Sequence, residues 1–200
     1  MLERMTLRTD VGDRVFSTEK WVQSAKFDDV IVTLEPKVQE MHDLVLKEPV
    51  SKQLSLVQDR EFFEWRFKNS TRNIYLFCYY VKDGAIQDYI VFGTPDNYGK
   101  GIILDYTERN IEGFKILIEF AISNKFYDEI RMGGYGLTEN VNQCLKDLGF
   151  KYPIHTRRAV VPLFIRTSAK DPTEDDWFIE GLDIRNIENW KIRGICSEWE

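Results

Sequence analysis

The spacing of apolar positions changes along this chain, and each spacing predicts one type of element. Residues 30–34 (VIVTL) form the first short apolar run and predict a strand. Apolar positions then recur at helical spacing between Pro36 and Pro49, which predicts a helix there. Residues 59–68 predict a second helix, with Asp59 as its N-cap. The aromatic side chains of this helix are too dense for one face, which predicts that it packs between two layers.

Three strands are predicted next along the chain. Residues 73–82 (NIYLFCYYVK) and 87–93 (QDYIVFG) flank Asp83-Gly84, a pair that is typical of a tight hairpin turn. Residues 101–107 (GIILDYT) follow a turn-rich segment and predict a third strand. Because hairpin connections reverse the chain, these strands predict an antiparallel meander.

The second half of the chain alternates between helical and strand patterns. In order, it predicts a buried helix at 111–124, a strand at 128–132, a helix at 138–148, and strands at 159–166 and 176–180. Thr138 is the expected N-cap of the third of these segments, and Gly149 is its expected C-terminal stop. Antiparallel strands followed by strand–helix–strand units predict one mixed α/β domain.

Composition limits the classes of function. The 200 residues are 43% hydrophobic and 30% charged, which is typical of a globular domain. No apolar stretch reaches the roughly 20 residues of a membrane span, and the opening residues have no apolar export segment, so we expect a cytoplasmic protein without membrane contact. A net charge of −6 argues against nucleic acid as a partner. Three cysteines and two histidines show no metal-ligand spacing, so no metal is expected.

The order of these segments resembles the GNAT family of acyl-CoA-dependent N-acetyltransferases. The resemblance runs from the strand 101–107 through both following helices to Leu148-Gly149-Phe150, a turn typical of the family. DREFFEWRF and DDWFIEGLDI resemble segments that flank the domain in bacterial GNAT-like proteins. Residues 1–200 are thus expected to form a single GNAT-like domain. Residues 59–183 are its best-matching region, residues 1–58 supply an N-terminal strand and helices, and residues 184–200 form a C-terminal extension.

The resemblance implies a fold and an activity. The fold is a mixed sheet in which antiparallel strands precede a parallel splayed pair with flanking helices. The activity is direct transfer of the acetyl group from acetyl-CoA to a small-molecule amine, with an amino sugar as the suggested acceptor. Apart from the resemblance, a homodimer is the candidate assembly. The chain departs from the family pattern in two places. Glu112 and Phe114 stand where the family's loop has glycine or a small residue. Leu145 stands where the family often has a tyrosine that acts as the general acid.

The expected cofactor-binding residues surround the start of the buried helix. A helix N-terminus offers unpaired N–H groups and a favourable dipole to a diphosphate. The residues expected to bind acetyl-CoA are Tyr106, Thr107, Arg109, Asn110, Ile111, Glu112, Gly113 and Phe114. The alternative is structural: Arg109 and Asn110 then end a strand and cap a helix.

Two residues are candidates for proton transfer. Asp105 is the carboxylate nearest to the expected thioester and would be the base through water; its alternative is a polar, outward position on a half-exposed strand. Glu108 is expected to be solvated. Tyr135, among Gly133, Gly134 and Gly136, is the candidate acid; these glycines suit either a cofactor slot or a flexible connection.

Two alternatives to this enzyme remain open. The first is a catalytically silent GNAT-fold module for binding or scaffolding, which the two departures favour. The second is an enzyme whose acyl donor is attached to a partner protein, so that a weak coenzyme A loop is sufficient.

Overall fold

The computed structural model describes residues 3–8, 24–27, 29–49, 51–68, 74–94, 99–135, 137–151, 171 and 173–193. Side chains of residues 3–8, 24–27, 133–135 and 187 are not described. The strand predicted at 159–166 lies outside these ranges. Within these ranges there are ten strands: β1 (Glu3–Arg8), β2 (Ser24–Phe27), β3 (Val30–Thr33), β4 (Ile74–Lys82), β5 (Ala85–Thr94), β6 (Lys100–Tyr106), β7 (Glu129–Tyr135), β8 (Phe178–Ile179), β9 (Leu182–Asp183) and β10 (Ile192–Arg193).

Eight of these strands form one mixed sheet. Its order is β1-β7-β6-β5-β4-β3-β2, and β10 also pairs with β7. The neighbours from β2 to β6 are antiparallel, whereas β6 and β7 are parallel. Strands β8 and β9 form a separate hairpin. The predicted meander of β4, β5 and β6 is confirmed, and so is the predicted parallel pair.

Four α-helices in the described part of the chain cover the sheet: α1 (Val38–Val45), α2 (Arg60–Lys68), α3 (Ile111–Ser123) and α4 (Glu139–Asp147). Asp59 caps α2, since its Oδ1 accepts the Phe62 N–H at 2.7 Å. Thr138 caps α4 by accepting the Val141 N–H at 3.4 Å. The predicted mixed α/β class is therefore confirmed. Among the residues that the structure describes, none of the helices has both the length and the apolar character that crossing a membrane requires.

The alternation of side chains along each strand divides the interior into two cores. On β4, Phe77 and Tyr79 belong to the core under α1 and α2. Leu76 and Cys78, on the opposite face, belong to the core under α3 and α4. The central strands are thus buried on both faces between two layers of helices, which explains why they are apolar runs.

The parallel pair separates before either strand ends. Pairing of β6 with β7 runs from Lys100 opposite Glu129 to Ile103 opposite Met132. Beyond that point β6 continues to Tyr106 and β7 continues along β10 instead. Helix α3 connects the two strands, as a crossover between parallel neighbours requires.

Two predictions about local structure are wrong in part. The strand expected at 176–180 begins only at Phe178, because Thr173 and Asp176 form a capping box that holds Glu174–Trp177 in a 3-10 helix. Helix α2 is not enclosed on all sides: Phe63 and Phe67 are buried, but Trp65 is 59% exposed. The pattern of apolar positions did not predict the strands β1, β2, β9 and β10.

The end of α4 depends on a glycine with positive φ. Gly149 has φ of 89°, and its N–H donates to the Lys146 carbonyl while the Phe150 N–H donates to the Leu145 carbonyl, both at 2.9 Å. This pair of bonds is a Schellman motif. The predicted stop at Gly149 is confirmed, and Phe150 and Leu145 both belong to the core beneath.

Gly149→Ala should destabilise the protein by about 1–2 kcal/mol, because an L-residue in the left-handed region is strained by about that amount. Equilibrium urea unfolding measures the change. Lys146→Ala, at an exposed position of the same helix, is the matched control and should change stability by less than about 0.5 kcal/mol. Equal stabilities of the two variants would contradict the assigned role of Gly149.

Candidate functional site

A β-bulge sets the direction of Asp105. Opposite β5, Val91 pairs with Asp105 and Phe92 pairs with Ile103, so Leu104 is the extra residue on β6. A bulge places two residues against one and turns the strand locally. Asp105 consequently lies on the same face of the sheet as Val91, toward α1 and α2, rather than on the face of Ile103.

Asp105 is fully buried, and both of its carboxylate oxygens accept hydrogen bonds. Its Oδ2 accepts the Tyr89 hydroxyl at 2.8 Å, and its Oδ1 accepts from Gln58 Nε2 at 3.1 Å and Arg193 Nη1 at 3.2 Å. Burial raises the pKa of Asp105, and the Arg193 guanidinium partly offsets that rise. The alternative of an outward polar residue on a half-exposed strand is therefore wrong, because both faces of the sheet are covered.

Arg193 joins Asp105 to the loop after α1. Its Nη2 donates to both carboxylate oxygens of Glu48, at 2.9 and 2.7 Å, and its Nη1 also donates to Gln58 Oε1 at 3.2 Å. The guanidinium lies 4.9 Å from the centre of the Tyr106 ring, within range of a cation–π contact. Burial alone would lower the pKa of Arg193, but Asp105 and Glu48 outweigh it and hold the pKa well above its ordinary value.

A second cation extends this group. Lys191 Nζ lies 3.2 Å from Glu108 Oε2 and 3.8 Å from Glu48 Oε2. Only 6% of the Glu108 side chain is exposed, so the expectation of a solvated Glu108 is wrong. The reason is that Lys191, the residue just before β10, pairs with the Glu108 carboxylate. We call the connected set the Arg193 cluster: Glu48, Gln58, Tyr89, Asp105, Glu108, Lys191 and Arg193.

A cavity of about 380 Å³ opens beside the Arg193 cluster. Glu48, Lys191 and Arg193 give it a charged lining, while Leu46 and Leu56 add apolar lining. These two leucines are 70% and 50% exposed. Within the described ranges, no group of three or more His, Cys, Asp or Glu is placed to hold a metal ion. The cavity thus suits a small molecule with both polar and apolar parts.

The residues expected to hold a diphosphate fall into exposed and buried sets. Arg109, Asn110 and Glu112 are exposed, whereas the side chains of Tyr106 and Phe114 are buried with ring centres 5.2 Å apart. Asn110 Oδ1 accepts the Glu112 N–H at 3.1 Å and caps α3. The structural alternative for Asn110 is therefore confirmed, and two aromatic side chains of this segment serve the core.

A buried carboxylate, missed by the sequence analysis, lies beneath the start of α3. Asp88 Oδ1 accepts the Thr107 hydroxyl at 3.1 Å, and Thr107 in turn accepts the Tyr89 N–H at 3.1 Å. A Cβ built on Gly113 would lie 2.1 Å from Asp88 Oδ2, so any side chain there would force a shift. The available signal was an aspartate within the apolar strand QDYIVFG.

The two predicted proton-transfer residues lie at the separating ends of the parallel strands. Tyr135 ends β7, where its backbone pairs with Ile192. Its side chain lies outside what the structure describes, so its role as the acid stays a prediction. Gly133 and Gly134 belong to the paired strand, and the alternative of a flexible connection is wrong for them because β1 and β10 pair with that stretch. Leu145 is fully buried in the core.

Comparison of the chain with protein-family models, curated proteins and solved structures gives no match. The principal features of the site are a hydrogen-bonded buried carboxylate, a cavity with a charged lining, and a parallel strand pair that separates before either strand ends.

Asp88 should make stability fall as pH rises. Burial raises its pKa from 3.8 to about 6, although the Thr107 hydrogen bond opposes the rise. Between these values the folded protein binds more protons than the unfolded chain, so the free energy of unfolding decreases with increasing pH. Asp88→Asn removes this titration.

Urea unfolding of parent and Asp88→Asn between pH 4 and 7 measures this effect. Relative to the variant, the parent should lose up to about 3 kcal/mol of stability on going from about pH 4 to above pH 6, from the free-energy equivalent of the pKa shift. Parallel pH dependences of the two proteins would show that Asp88 does not titrate in this way.

Proposed function

We propose that this chain is a GNAT-like N-acyltransferase domain that transfers the acetyl group of acetyl-CoA to a small amine. The observation that supports the proposal is the separation of the parallel strands β6 and β7 after Ile103 and Met132. In the family that the sequence resembles, the pantetheine arm of the coenzyme enters between two parallel strands that separate in this way. We call the space between the separating ends the strand gap.

The surrounding topology is consistent with this proposal. The antiparallel strands β3 to β6 precede the parallel strand β7, and α3 connects the parallel pair. Helix α4 then ends in the turn Leu148-Gly149-Phe150, in the order that the family shows. The order and direction of several elements together are more specific than a single short motif such as Leu148-Gly149-Phe150. Their combination favours a GNAT-like fold.

In the proposed donor site, some residues suit the diphosphate of acetyl-CoA and others do not. Arg109 is exposed at the start of α3, where a charge-assisted contact with a phosphate is geometrically open to it. Asp88, buried beneath Gly113, adds a negative charge that is unfavourable near a diphosphate. The strand gap itself contains β10 in the described conformation, so donor binding requires β10 to move.

The cavity beside the Arg193 cluster is the proposed acceptor site. When bound, acetyl-CoA supplies a thioester whose carbonyl carbon the neutral amine attacks; the C–N bond forms and the C–S bond breaks. Asp105 would take the proton of the amine through water, since burial raises its pKa toward the range of a useful base. Tyr135 would return a proton to the thiolate. An amino sugar is the suggested acceptor.

A catalytically silent GNAT-fold binding module is the second candidate. Two observations favour it: β10 fills the strand gap, and Asp105 is bonded to Arg193 instead of facing an open site. Leu145 agrees with this candidate: its side chain has no ionisable proton to donate and is buried in the core.

Arg109→Ala should weaken acetyl-CoA binding by about 10- to 150-fold, since one hydrogen bond to a charged group contributes about 1.5–3 kcal/mol. Isothermal titration calorimetry measures the affinity. Lys115→Ala removes an exposed positive charge further along α3 and is the matched control, with an expected change of less than about threefold. No detectable heat from the parent protein at millimolar acetyl-CoA would favour the silent module.

Tyr135→Phe should lower turnover by about 10²–10⁴-fold while coenzyme affinity stays nearly constant, because general acid assistance typically contributes that factor. The assay is acetyl-CoA consumption against a panel of amino sugars and other small amines. Tyr80→Phe, at a half-buried tyrosine on β4, is the control for the loss of a hydroxyl group. A loss smaller than about threefold at Tyr135 would remove it as the acid.

A further inference from the structure

Strand β10 lies in the strand gap. On β7, Gly134 pairs with Glu3 of β1 along one edge and with Arg193 of β10 along the other. That second edge is the one that β6 uses from Glu129 to Met132. Therefore β10 takes over the edge of β7 where β6 leaves it, and two antiparallel register pairs hold it there.

Contacts of Arg193 with β6 close the other side of the gap. Its guanidinium donates to Asp105 Oδ1 and lies over the ring of Tyr106, the last residue of β6. The backbone of Arg193 thus pairs with β7 while its side chain binds β6. One residue spans the space between the two separating strands.

The same residue occupies the candidate base. Asp105 Oδ1 already accepts two hydrogen bonds, from Arg193 and Gln58, and Oδ2 accepts the Tyr89 hydroxyl. A carboxylate with these partners is poorly placed to accept a proton from a substrate. Closure of the strand gap and masking of Asp105 are therefore one structural event.

Release of Arg193 would leave both of its carboxylate partners, Asp105 and Glu48, with other hydrogen-bond donors. Asp105 would keep its hydrogen bonds from Gln58 and Tyr89. Glu48 would keep the Glu108 N–H at 3.0 Å and the ammonium of Lys191. An arginine side chain is well hydrated once exposed, so the cost of release is the loss of the Asp105 counter-charge and of the hydrogen bond to Gln58 Oε1.

The preceding residues anchor this segment independently of the gap. The Leu54 N–H donates to the Asn189 carbonyl at 2.7 Å, and the Lys191 N–H donates to the Leu54 carbonyl at 2.8 Å. These bonds tie residues 189–191 to the loop before α2. Residues 192–193 can therefore leave β7 while the anchor at Leu54 remains in place.

We infer that residues 192–193 form a releasable strap that closes the strand gap and holds Asp105 inactive through Arg193. The role of the strap in catalysis rests on the proposed function, since the gap is the proposed path of the donor. If the donor enters only the open form, its apparent affinity is its intrinsic affinity multiplied by the fraction of molecules that are open. Weakening the strap should therefore tighten donor binding.

Arg193→Gln is the test variant, because it removes the charge that binds Glu48 and Asp105 in the closed form. Arg185→Gln is the matched control: Arg185 is exposed and pairs with Glu174 and Asp183, outside the Arg193 cluster. Calorimetry should show acetyl-CoA binding about tenfold tighter, or more, in Arg193→Gln and unchanged in Arg185→Gln.

Amide hydrogen exchange measures release without any ligand. In the parent protein, the amides of residues 134–135 and 192–193 should exchange faster than those in the centre of β4 and β5, through local opening. Arg193→Gln should accelerate exchange in the first set alone. If both sets exchange only by global unfolding, the inference of a releasable strap is wrong. This measurement needs the parent protein alone, so it decides the question even if the variant does not fold.

The two measurements distinguish the strap from the proposed function. Local opening together with tighter acetyl-CoA binding in Arg193→Gln supports both. Local opening with no binding by either protein at millimolar acetyl-CoA supports the strap and overturns the acyl-CoA function. Local opening with equal, measurable affinities in parent and variant overturns the inference, because the donor then does not enter through the strand gap.

Discussion

The buried ion pair between Arg193 and Asp105 connects the C-terminal strand to the centre of the sheet. Both residues are almost completely removed from water, so each charge depends on partners inside the protein. Glu48, Gln58 and Tyr89 supply these partners. The lining of the cavity, the filling of the strand gap and the state of the candidate base all depend on this one contact.

The position of that contact depends in turn on the irregularity of β6. Without the extra residue at Leu104, simple alternation would place Asp105 on the face of Ile103, among the apolar side chains under α3 and α4. The bulge moves its carboxylate to the face that holds Tyr89 and Val91. There the Tyr89 hydroxyl and the Gln58 side-chain amide, just before α2, donate to it. A local backbone feature thus decides whether this carboxylate is stabilised.

The start of α3 differs from the loop that the resemblance suggested. Phe114 replaces a small residue because it fills the core against Tyr106, and Gly113 is required by the approach of Asp88. Asn110 caps the helix with its own side chain. Internal contacts therefore account for most side chains of this segment, and Arg109 is the one expected basic group that is left exposed there.

Local signals predicted most of the elements. The turn at Asp83-Gly84 has positive φ at both residues, and Asp59 and Thr138 cap the helices that follow them. These features need only neighbouring residues, because a cap or tight turn is closed by hydrogen bonds a few positions away. The parallel direction of β6 and β7 could also be predicted, since a helix of suitable length connects them.

The candidate site was predicted less well, because its partners are distant in the chain. Asp105 was identified from its place on a strand, but Glu48, Gln58 and Arg193 have no pattern that indicates a shared site. Nothing in the periodicity of a two-residue strand predicts that Arg193 pairs with Gly134. The sequence by itself determined the helices and most of the central strands through apolar periodicity. It also determined the helix caps and the hairpin turn through short-range hydrogen bonding. Only the tertiary structure decided the bulge, the filled gap and the partners of Asp105, because these arise from pairing between segments whose separation leaves no local trace.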